Sequence, residues 1–448
     1  MPHSLFGTDG IRGTAGTYPL DAATIRRVGA ALVKVMLRDR QKLGGRVLIG
    51  RDTRESGEWI ERELAHGAAS AGATVFSVGV APTPAVAYLT RAMEFDSGVV
   101  ISASHNPYQD NGIKVFSGSG EKYGEHLEER IEHLVADASW TISNGDAPEV
   151  NASGELRAYL DHAREVLPNP GELGPLRLVV DCANGAMTTV APKLFRELGF
   201  DTTVLAATPD GRNINSGCGS THPELLAKTM RSNGYRLGVA FDGDGDRAIF
   251  ADAHGRVLDG DHVLLMCARQ MKAEGRLRGN AVVATVMSNI GLELGLKKHG
   301  IELVRTTVGD KYVMEEMQKR NLALGGEQSG HIIFSDFLYT GDGLITALNV
   351  LRTMAATGKE LAELASELQT YPQVLLNVRV NAKPDLKTVP KVAVVIDEVE
   401  KRLAGSGRLL VRYSGTEPLL RVMLEGQDKA EIEAMANRIA SAVEEHVK

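Results

Sequence analysis

The sequence predicts an α/β protein made of three similar mixed α/β domains with mostly parallel sheets, followed by a smaller C-terminal α+β domain. A unit of strand, polar loop, amphipathic helix, glycine and second strand recurs three times, starting near Arg46, Leu176 and Asn280. Strands that alternate with helices of this length are typical of βαβ units and parallel sheets. The length of 448 residues allows about three domains of roughly 150 residues each. One large sheet built from all the units is the alternative.

Each repeat ends its helix at a glycine, namely Gly72, Gly199 and Gly300. Glycine readily adopts the left-handed backbone that terminates many helices, so we expect a left-handed cap at all three positions. Glycine accounts for 48 of the 448 residues, about 11% against a usual value of about 7%. This excess indicates loops that need positive φ angles or a close approach of two backbones.

The last part of the chain has a different order of elements. A strand from Val374, a helix from Lys391, two strands flanking the loop SGTEP and a final helix predict the order β-α-β-β-α. The apolar stripe of the final helix consists of Ile432, Met435, Ile439 and Val443. We therefore expect four domains. Their predicted boundaries are 1–150, 151–255, 256–368 and 369–448.

Composition narrows the functional class. The chain has 50 Lys+Arg and 57 Asp+Glu residues, with a net charge of -7, so nucleic-acid binding through bulk charge is not expected. Three cysteines without a C-x-x-C pair indicate a reducing compartment and no disulfide framework. The beginning of the sequence lacks a signal-peptide pattern. The longest uncharged stretch, 65–90, reads as helix and then strand. These features predict a cytoplasmic protein without a membrane partner.

The strongest local pattern is DGDGDR, directly after the predicted strand LGVA, with carboxylates at Asp242, Asp244 and Asp246. Two such charges about 6 Å apart repel by about 0.7 kcal/mol in bulk water, and by more when desolvated. The interposed glycines let the carboxylates converge. A hard divalent cation such as Mg²⁺, Mn²⁺ or Ca²⁺ would remove the repulsion. An EF-hand is excluded because Ala253 stands where that loop needs glutamate. The alternative is a solvated acidic turn.

A second pattern is SASHNP, which follows the apolar run GVVI and contains Ser104. A serine at a strand end can act as a nucleophile, although such a cluster also occurs in plain turns. The G-x-S-x-G elbow of hydrolases does not occur in the sequence. Lys114 adds a cation in the same region. At the N-terminus, Arg12 lies in the glycine loop FGTDGIRG, which is not a Walker loop.

A third pattern, GGEQSGH, places Glu327, Ser329 and His331 between glycines. A carboxylate, a hydroxyl and an imidazole suit hydrogen bonding to a polyol, and a plain turn is equally compatible with the spacing. The fourth pattern, RYSGTEP, offers guanidinium, hydroxyl and backbone N–H donors, the groups that hold a phosphate dianion. A hairpin turn with exposed arginines is its alternative.

Taken in order, FGTDGIRG, SASHNP, DGDGDR, GEQSGH and RYSGTEP resemble the motifs of the α-D-phosphohexomutase family across essentially the whole chain. GEQSGH and the segment 213–224 resemble the branch that acts on glucosamine phosphates. The resemblance implies four domains around a central cleft and a sugar-phosphate substrate. It also implies interconversion of glucosamine 6-phosphate and glucosamine 1-phosphate through a 1,6-bisphosphate. A homodimer is a further expectation.

Three alternatives remain at this point. One is a phosphomannomutase or phosphoglucomutase on the same scaffold, because Glu327 and Ser329 cannot distinguish an amine from a hydroxyl at carbon 2. Another is a non-catalytic sugar-phosphate sensor. The third is a Mg²⁺-dependent phosphatase that uses Asp242 as its nucleophile.

The resemblance implies a role for each loop. Ser104 would carry a phosphoryl group in the resting enzyme. The residues that would hold Mg²⁺ are Ser104, through its phosphate, and Asp242, Asp244 and Asp246. Glu327 and Ser329 would contact the sugar hydroxyls, and Arg247 would contact the substrate. The phosphate clamp, which would bind the non-reacting phosphate, comprises Arg412, Ser414, Gly415, Thr416 and Arg421. The candidates for general acid and base are Lys114, Arg12 and His331.

Overall fold

The computed structural model divides the chain into two compact units, Met1–Met287 with His299–Glu367, and Ser288–Lys298 with Leu368–Lys448. The described residues are 5–7, 9–40, 44–142, 150–152, 156–232, 234–414 and 418–447. Their strands form four separate sheets of six, five, four and three strands, so the alternative of one large sheet is wrong. Across these residues, no helix has both the length and the apolar character needed to cross a membrane.

The first sheet contains six strands. They are β1 (Ile11–Thr14), β2 (Gly45–Arg51), β3 (Ala73–Val80), β4 (Ser97–Ile101), β5 (Asp110–Ser117) and β6 (Asn151–Ala152). The accompanying helices are α1 (Ala22–Arg40), α2 (Gly57–Ser70), α3 (Thr83–Ala92) and α4 (Glu125–Ala136). The spatial order is β1-β5-β4-β2-β3-β6. Strand β2 pairs in parallel with β3 and β4, whereas β5 runs antiparallel to β4 and β1.

The second sheet contains five strands in the first unit. They are β7 (Arg177–Asp181), β8 (Asp201–Leu205), β9 (Leu237–Phe241), β10 (Ala248–Ala251) and β11 (Val257–Leu258). Its helices are α5 (Leu156–Arg164), α6 (Ala191–Glu197) and α7 (Glu224–Met230). The order is β11-β10-β9-β7-β8. Strand β7 is parallel to β8 and β9, and β10 is antiparallel to β9.

The third sheet has four strands. They are β12 (Ala281–Thr285), β13 (Glu302–Thr306), β14 (Leu324–Gly326) and β15 (Ile332–Phe334). The helices in this part of the sequence are α8 (Gly260–Ala273), α9 (Ile290–Lys298), α10 (Asp310–Arg320), α11 (Gly343–Thr357) and α12 (Leu361–Ala365). Strand β12 pairs in parallel with β13 and β14, and β14 pairs antiparallel with β15. Helix α9 belongs to the second unit.

The fourth sheet forms the centre of the second unit. Its elements are β16 (Gln373–Arg379), α13 (Pro390–Leu403), β17 (Arg408–Tyr413), β18 (Leu419–Glu425) and α14 (Lys429–His446). This confirms the predicted order β-α-β-β-α, and the four apolar residues of the final helix are all buried. The strands are antiparallel in the order β16-β18-β17. The short 3₁₀ helices of the chain are Pro170–Leu173, Ala186–Thr189, Arg278–Asn280 and Leu386–Thr388.

The three predicted glycine caps are confirmed. Gly72, Gly199 and Gly300 have φ angles of 96°, 87° and 63°. A Cβ added at Gly72 or Gly199 would meet no atom within 4 Å. The backbone angle, rather than a lack of space, therefore favours glycine at these two helix ends.

The first three sheets share one feature that positions the site. In each sheet, one strand pairs in parallel with one neighbour and antiparallel with the strand that follows it in the sequence. These consecutive antiparallel pairs are β4 and β5, β9 and β10, and β14 and β15. The predicted functional loops 102–109, 242–247 and 327–331 are the connections of these three pairs. Repetition of the fold therefore places three different chemical groups at equivalent positions.

A buried acid links helices α5 and α11. The Asp342 carboxylate caps α11 by accepting a hydrogen bond from the Ile345 N–H at 2.9 Å. The Tyr159 hydroxyl, on α5, donates to the same carboxylate at 3.0 Å. Both side chains are buried, and burial raises the pKa of Asp342 to about 7. The folded chain thus favours the protonated form of this carboxyl group below about pH 7.

Replacing Asp342 by asparagine should therefore flatten the pH dependence of stability. The folded pKa lies above the unfolded value of about 3.9, so the folded state binds the extra proton between these two values. The unfolding free energy then falls as the pH rises through that interval. We expect the melting temperature of the wild type to fall relative to that of Asp342→Asn between pH 5 and pH 8. Parallel melting curves for the two proteins across this range would contradict the role assigned to Asp342.

Candidate active site

Ser104 lies in the connection between β4 and β5 and faces the aspartate loop. Its Oγ donates a hydrogen bond to Asp242 Oδ2 at 2.6 Å, and its side chain is buried. The residue has a φ of 53°, a left-handed conformation that is uncommon outside glycine and is often found at functional sites. Its N–H donates to Ser102 Oγ at 2.9 Å. The serine is thus held with its hydroxyl towards a carboxylate that lies 138 positions further along the chain.

The aspartate triad follows β9 and is fully enclosed. Asp242, Asp244 and Asp246 are buried, and one oxygen of each lies within 4.8 Å of the others. Among the described residues, Asp244 Oδ1 and Asp246 Oδ1 are buried without a hydrogen-bond partner. Orphaned carboxylate oxygens are costly to bury, and an all-oxygen set of this kind suits a hard divalent cation. The triad therefore fits a metal ion.

The glycines between the aspartates are required by a close backbone approach. A Cβ at Gly243 would lie 2.5 Å from the carbonyl oxygen of Ser104. Gly245 has a φ of 74°, which favours glycine. The D-G-D-G-D spacing thus lets the loop 242–247, the candidate metal loop, lie directly against the serine loop.

Lys114, on β5, supplies a buried counter-charge. Its Nζ lies 2.9 Å from Asp244 Oδ2, 3.1 Å from Asp246 Oδ2 and 3.1 Å from Asp9 Oδ2. Burial alone would lower the pKa of Lys114, but the surrounding carboxylates raise it well above its usual value. Burial, followed by repulsion from Asp246 and Asp244, raises the pKa of Asp242. Burial also opposes ionisation of Asp246, but Lys114, His331 and Arg247 together hold the pKa of Asp246 well below its usual value.

The counter-charges extend into a closed circuit of alternating sign. Lys122 Nζ lies 2.5 Å from Asp9 Oδ1 and also contacts Asp310 Oδ2. His331 places Nε2 at 3.6 Å from Asp310 Oδ2 and Nδ1 at 3.6 Å from Asp246 Oδ1. Burial would lower the pKa of His331, but these two carboxylates raise it. The sequence patterns did not identify Asp9, Lys122 or Asp310. Lys122 and Asp310 are 188 positions apart, so no local pattern connects them.

Two arginines border the serine loop. Arg12 donates to the carbonyl oxygen of Ala103 at 3.1 Å. Arg247 places Nη1 at 3.3 Å from His105 Nδ1, and its N–H donates to Asp242 Oδ1 at 3.1 Å. Burial, with added repulsion from Arg247 and Arg12, lowers the pKa of His105 to about 4. His105 is therefore a neutral imidazole at physiological pH, and the two guanidiniums keep a positive field beside Ser104.

The third loop brings polar side chains next to the triad. A backbone bridge pairs Arg247 with His331. The Glu327 N–H donates to the His331 carbonyl at 2.9 Å and closes the turn. Glu327 is half-buried and Ser329 is exposed, with Ser329 Oγ 3.4 Å from Glu327 Oε2. The Gly309 N–H donates to Glu327 Oε1 at 3.2 Å, which orients the carboxylate that is expected to contact a sugar.

The phosphate clamp is described in part. Arg412 on β17 and Arg421 on β18 are direct cross-strand partners. Ser414 is buried, and its carbonyl oxygen accepts a hydrogen bond from Lys383 Nζ at 2.6 Å. Lys383 thus adds a cation beside Ser414, and the sequence patterns did not identify it. The predicted clamp residues that lie outside the described residues are Gly415 and Thr416.

Three sheets of common design, a smaller fourth sheet, and a serine aimed at a buried aspartate triad define a phosphohexomutase, an intramolecular phosphotransferase. The chain belongs to the phosphoglucomutase/phosphomannomutase family. The models of its α/β/α domains I, II and III match residues 3–141, 157–255 and 259–371, and the model of its C-terminal domain matches residues 375–442. The domain boundaries predicted from the sequence stay a prediction.

Similar proteins cover the whole chain. Phosphoglucosamine mutase of Syntrophotalea carbinolica is 46% identical over 451 residues, which cover 100% of this chain and 98% of the relative. Phosphoglucosamine mutase of Koribacter versatilis is 48% identical over 452 residues, covering 99% and 97%. The crystal structure of a phosphoglucomutase/phosphomannomutase family protein from Burkholderia thailandensis has a TM-score of 0.80 at 25% identity, covering 99% and 97%. N-acetylphosphoglucosamine mutase of Aspergillus fumigatus, solved with GlcNAc-6P and magnesium, shares the fold, with a TM-score of 0.66 at 18% identity and coverage of 99% and 96%.

The triad should bind a divalent cation through Asp244. Asp244→Asn keeps the shape of the side chain but removes the charge, so we expect Mn²⁺ affinity, measured by electron paramagnetic resonance, to fall at least about tenfold. Asp252→Asn is a matched control, because Asp252 is also buried but binds only nearby backbone N–H groups in the described structure. Its Mn²⁺ affinity should stay within about twofold of wild type. Equal affinities in the two variants would rule out the triad as the metal site.

Proposed function

We propose that this chain interconverts glucosamine 6-phosphate and glucosamine 1-phosphate through a phosphoserine enzyme and glucosamine 1,6-bisphosphate. The observation that carries the proposal is the Ser104 hydroxyl, buried and directed at Asp242 in a metal-compatible triad. The relatives named phosphoglucosamine mutase, 46% and 48% identical over nearly the full chain, support the amino-sugar substrate. The reaction would supply UDP-N-acetylglucosamine synthesis in the cytoplasm, and the chain would act as a homodimer.

Each half-reaction transfers one phosphoryl group. In the first, the bond between phosphorus and Ser104 Oγ breaks while the free hydroxyl oxygen of the sugar phosphate bonds to phosphorus. The hydroxyl proton passes to a base, and a proton returns to Ser104 Oγ. The resulting bisphosphate then returns its other phosphoryl group to Ser104, which regenerates the phosphoserine. Phosphoryl transfer depends mainly on positioning and charge neutralisation.

The chain supplies much of that neutralisation itself. Asp242, Asp244 and Asp246 would hold Mg²⁺ together with the Ser104 phosphate. When bound, Mg²⁺ neutralises charge on the transferring group. Three cations border the serine and triad and add positive charge from the protein: Arg12, Lys114 and Arg247. The candidates for the general acid and base are Lys114, Arg12 and His331, which lie beside the triad or the serine loop.

The substrate must bind in two orientations, because its phosphate occupies carbon 6 in one isomer and carbon 1 in the other. A second phosphate site, separate from the serine, is therefore needed. The clamp residues proposed for it are Arg412, Ser414, Gly415, Thr416 and Arg421. Glu327 and Ser329 would contact the sugar hydroxyls in either orientation.

The substrate preference separates an amino-sugar mutase from a phosphomannomutase or phosphoglucomutase. We expect kcat/KM for glucosamine 6-phosphate to exceed that for glucose 6-phosphate and mannose 6-phosphate at least about tenfold, a difference of about 1.4 kcal/mol in transition-state binding. The three substrates are compared under one Mg²⁺ concentration with glucose 1,6-bisphosphate as activator. A higher kcat/KM for either neutral sugar would overturn the amino-sugar assignment.

Ser104→Ala should lose at least about 10³ in turnover, because the covalent route disappears. Intact mass of the purified wild type should show a fraction carrying one phosphoryl group, and this fraction should be absent from the variant. Ser119→Ala is the control, since Ser119 is exposed in the turn after β5. Near-normal mutase activity of Ser104→Ala would exclude the phosphoserine. Binding without turnover in the wild type would instead indicate a sensor, and phosphate release as the main reaction would indicate a phosphatase.

A further inference from the structure

The carbonyl oxygen of Ser104 accepts two hydrogen bonds from buried side chains. Arg54 Nη2 donates at 3.0 Å, and Asn215 Nδ2 donates at 2.9 Å. Arg54 precedes α2 in the first repeat, whereas Asn215 lies between β8 and α7 in the second. Two donors from different repeats therefore hold the peptide group on the C-terminal side of Ser104.

The peptide group on the N-terminal side of Ser104 is also held by buried groups. The Ser104 N–H donates to Ser102 Oγ, which donates to Asp52 Oδ2 at 2.5 Å. Asp52 in turn pairs with Arg54 Nε at 2.9 Å, and both of these side chains are completely buried. Both sides of Ser104 are thus fixed to one buried ion pair, which fits its left-handed backbone.

Asn215 connects the serine loop to the second repeat, which also carries the metal loop. It lies in the segment 213–224, which the sequence singled out without assigning a function to any of its residues. Its amide also donates to the carbonyl of Asn106 at 3.3 Å. Both contacted atoms are carbonyl oxygens, so the amide NH₂ must face them. A Cβ on Gly243 would lie 2.9 Å from the same Nδ2, so Asn215 fills the space between the serine loop and the metal loop.

We propose that Asn215 is a positioning residue for phosphoryl transfer, holding the Ser104 peptide so that Oγ faces the triad. This inference rests on the mutase function proposed above. Among the described residues, Asn215 forms no hydrogen bond with Ser104 Oγ or with a triad carboxylate, so it acts through the Ser104 backbone. Its loss should slow transfer to and from Ser104 and leave sugar-phosphate binding largely unchanged, because the sugar and clamp loops lie elsewhere in the sequence.

Asn215→Asp tests this proposal with almost no change in shape. The introduced carboxylate would face two carbonyl oxygens and repel both, and aspartate tolerates the φ of 58° found at this position. We expect kcat and the rate of Ser104 phosphorylation by glucose 1,6-bisphosphate, followed by intact mass, to fall about 10²-fold. KM for the sugar phosphate should stay within about threefold. Asn215→Gly removes the donor without adding charge or backbone strain and should slow the same step, which keeps the test valid if the carboxylate prevents folding.

Asn213→Asp is the matched control. Asn213 lies in the same segment and donates to the carbonyl of Thr208 at 3.0 Å, and among the described residues it forms no hydrogen bond with the serine loop. Its phosphorylation rate should stay within about twofold of wild type. If wild type and Asn213→Asp turn over no hexose phosphate, the proposed function fails. If they are active and Asn215→Asp or Asn215→Gly phosphorylates Ser104 at the wild-type rate, or if only KM rises, the role of Asn215 is refuted.

Discussion

The concentration of three buried carboxylates in one short hairpin is the constraint on which the site depends. Removing ionised carboxylates from water is expensive unless each finds an opposite charge or a cation. Lys114 meets two of the three aspartates directly, and the Ser104 hydroxyl donates to the third. Two carboxylate oxygens, Asp244 Oδ1 and Asp246 Oδ1, still accept no hydrogen bond within the described residues, and a metal ion would be accommodated there. The serine, the lysine and the triad are therefore one electrostatic unit.

This unit connects the first three sheets. The circuit from Lys114 through Asp9, Lys122, Asp310 and His331 returns to Asp246, so charges from three repeats alternate in sign. A network of this kind is favourable only when every member is satisfied, and removal of one partner leaves its neighbour uncompensated. The same circuit thus joins the three hairpins that carry Ser104, the aspartate triad and Glu327.

The sequence predicted the local parts of this arrangement and missed the distant ones. The repeat, the glycine caps and the C-terminal order follow from periodicity and turn chemistry, which act over a few residues. Ser104 and the triad are visible because their spacing is unusual within a single loop. Lys122 and Asp310 meet only after two repeats have packed, so each reads as an ordinary surface charge. The placement of α9 in the second unit has the same origin, because Glu425 accepts a hydrogen bond from the Ile290 N–H across 135 positions.

The backbone of the serine loop is likewise held by residues that are distant in the sequence. A mutase must use the same serine as acceptor in one half-reaction and as donor in the other, so the barrier must be low in both directions. A loop oriented by water would reorganise as charge moves from the serine to the sugar. The Ser104 peptide is instead held by buried groups, namely Arg54, Ser102 and Asn215. Fixed hydrogen-bond partners in a water-poor environment need no reorganisation during transfer, so in the proposed reaction the same geometry would serve both half-reactions.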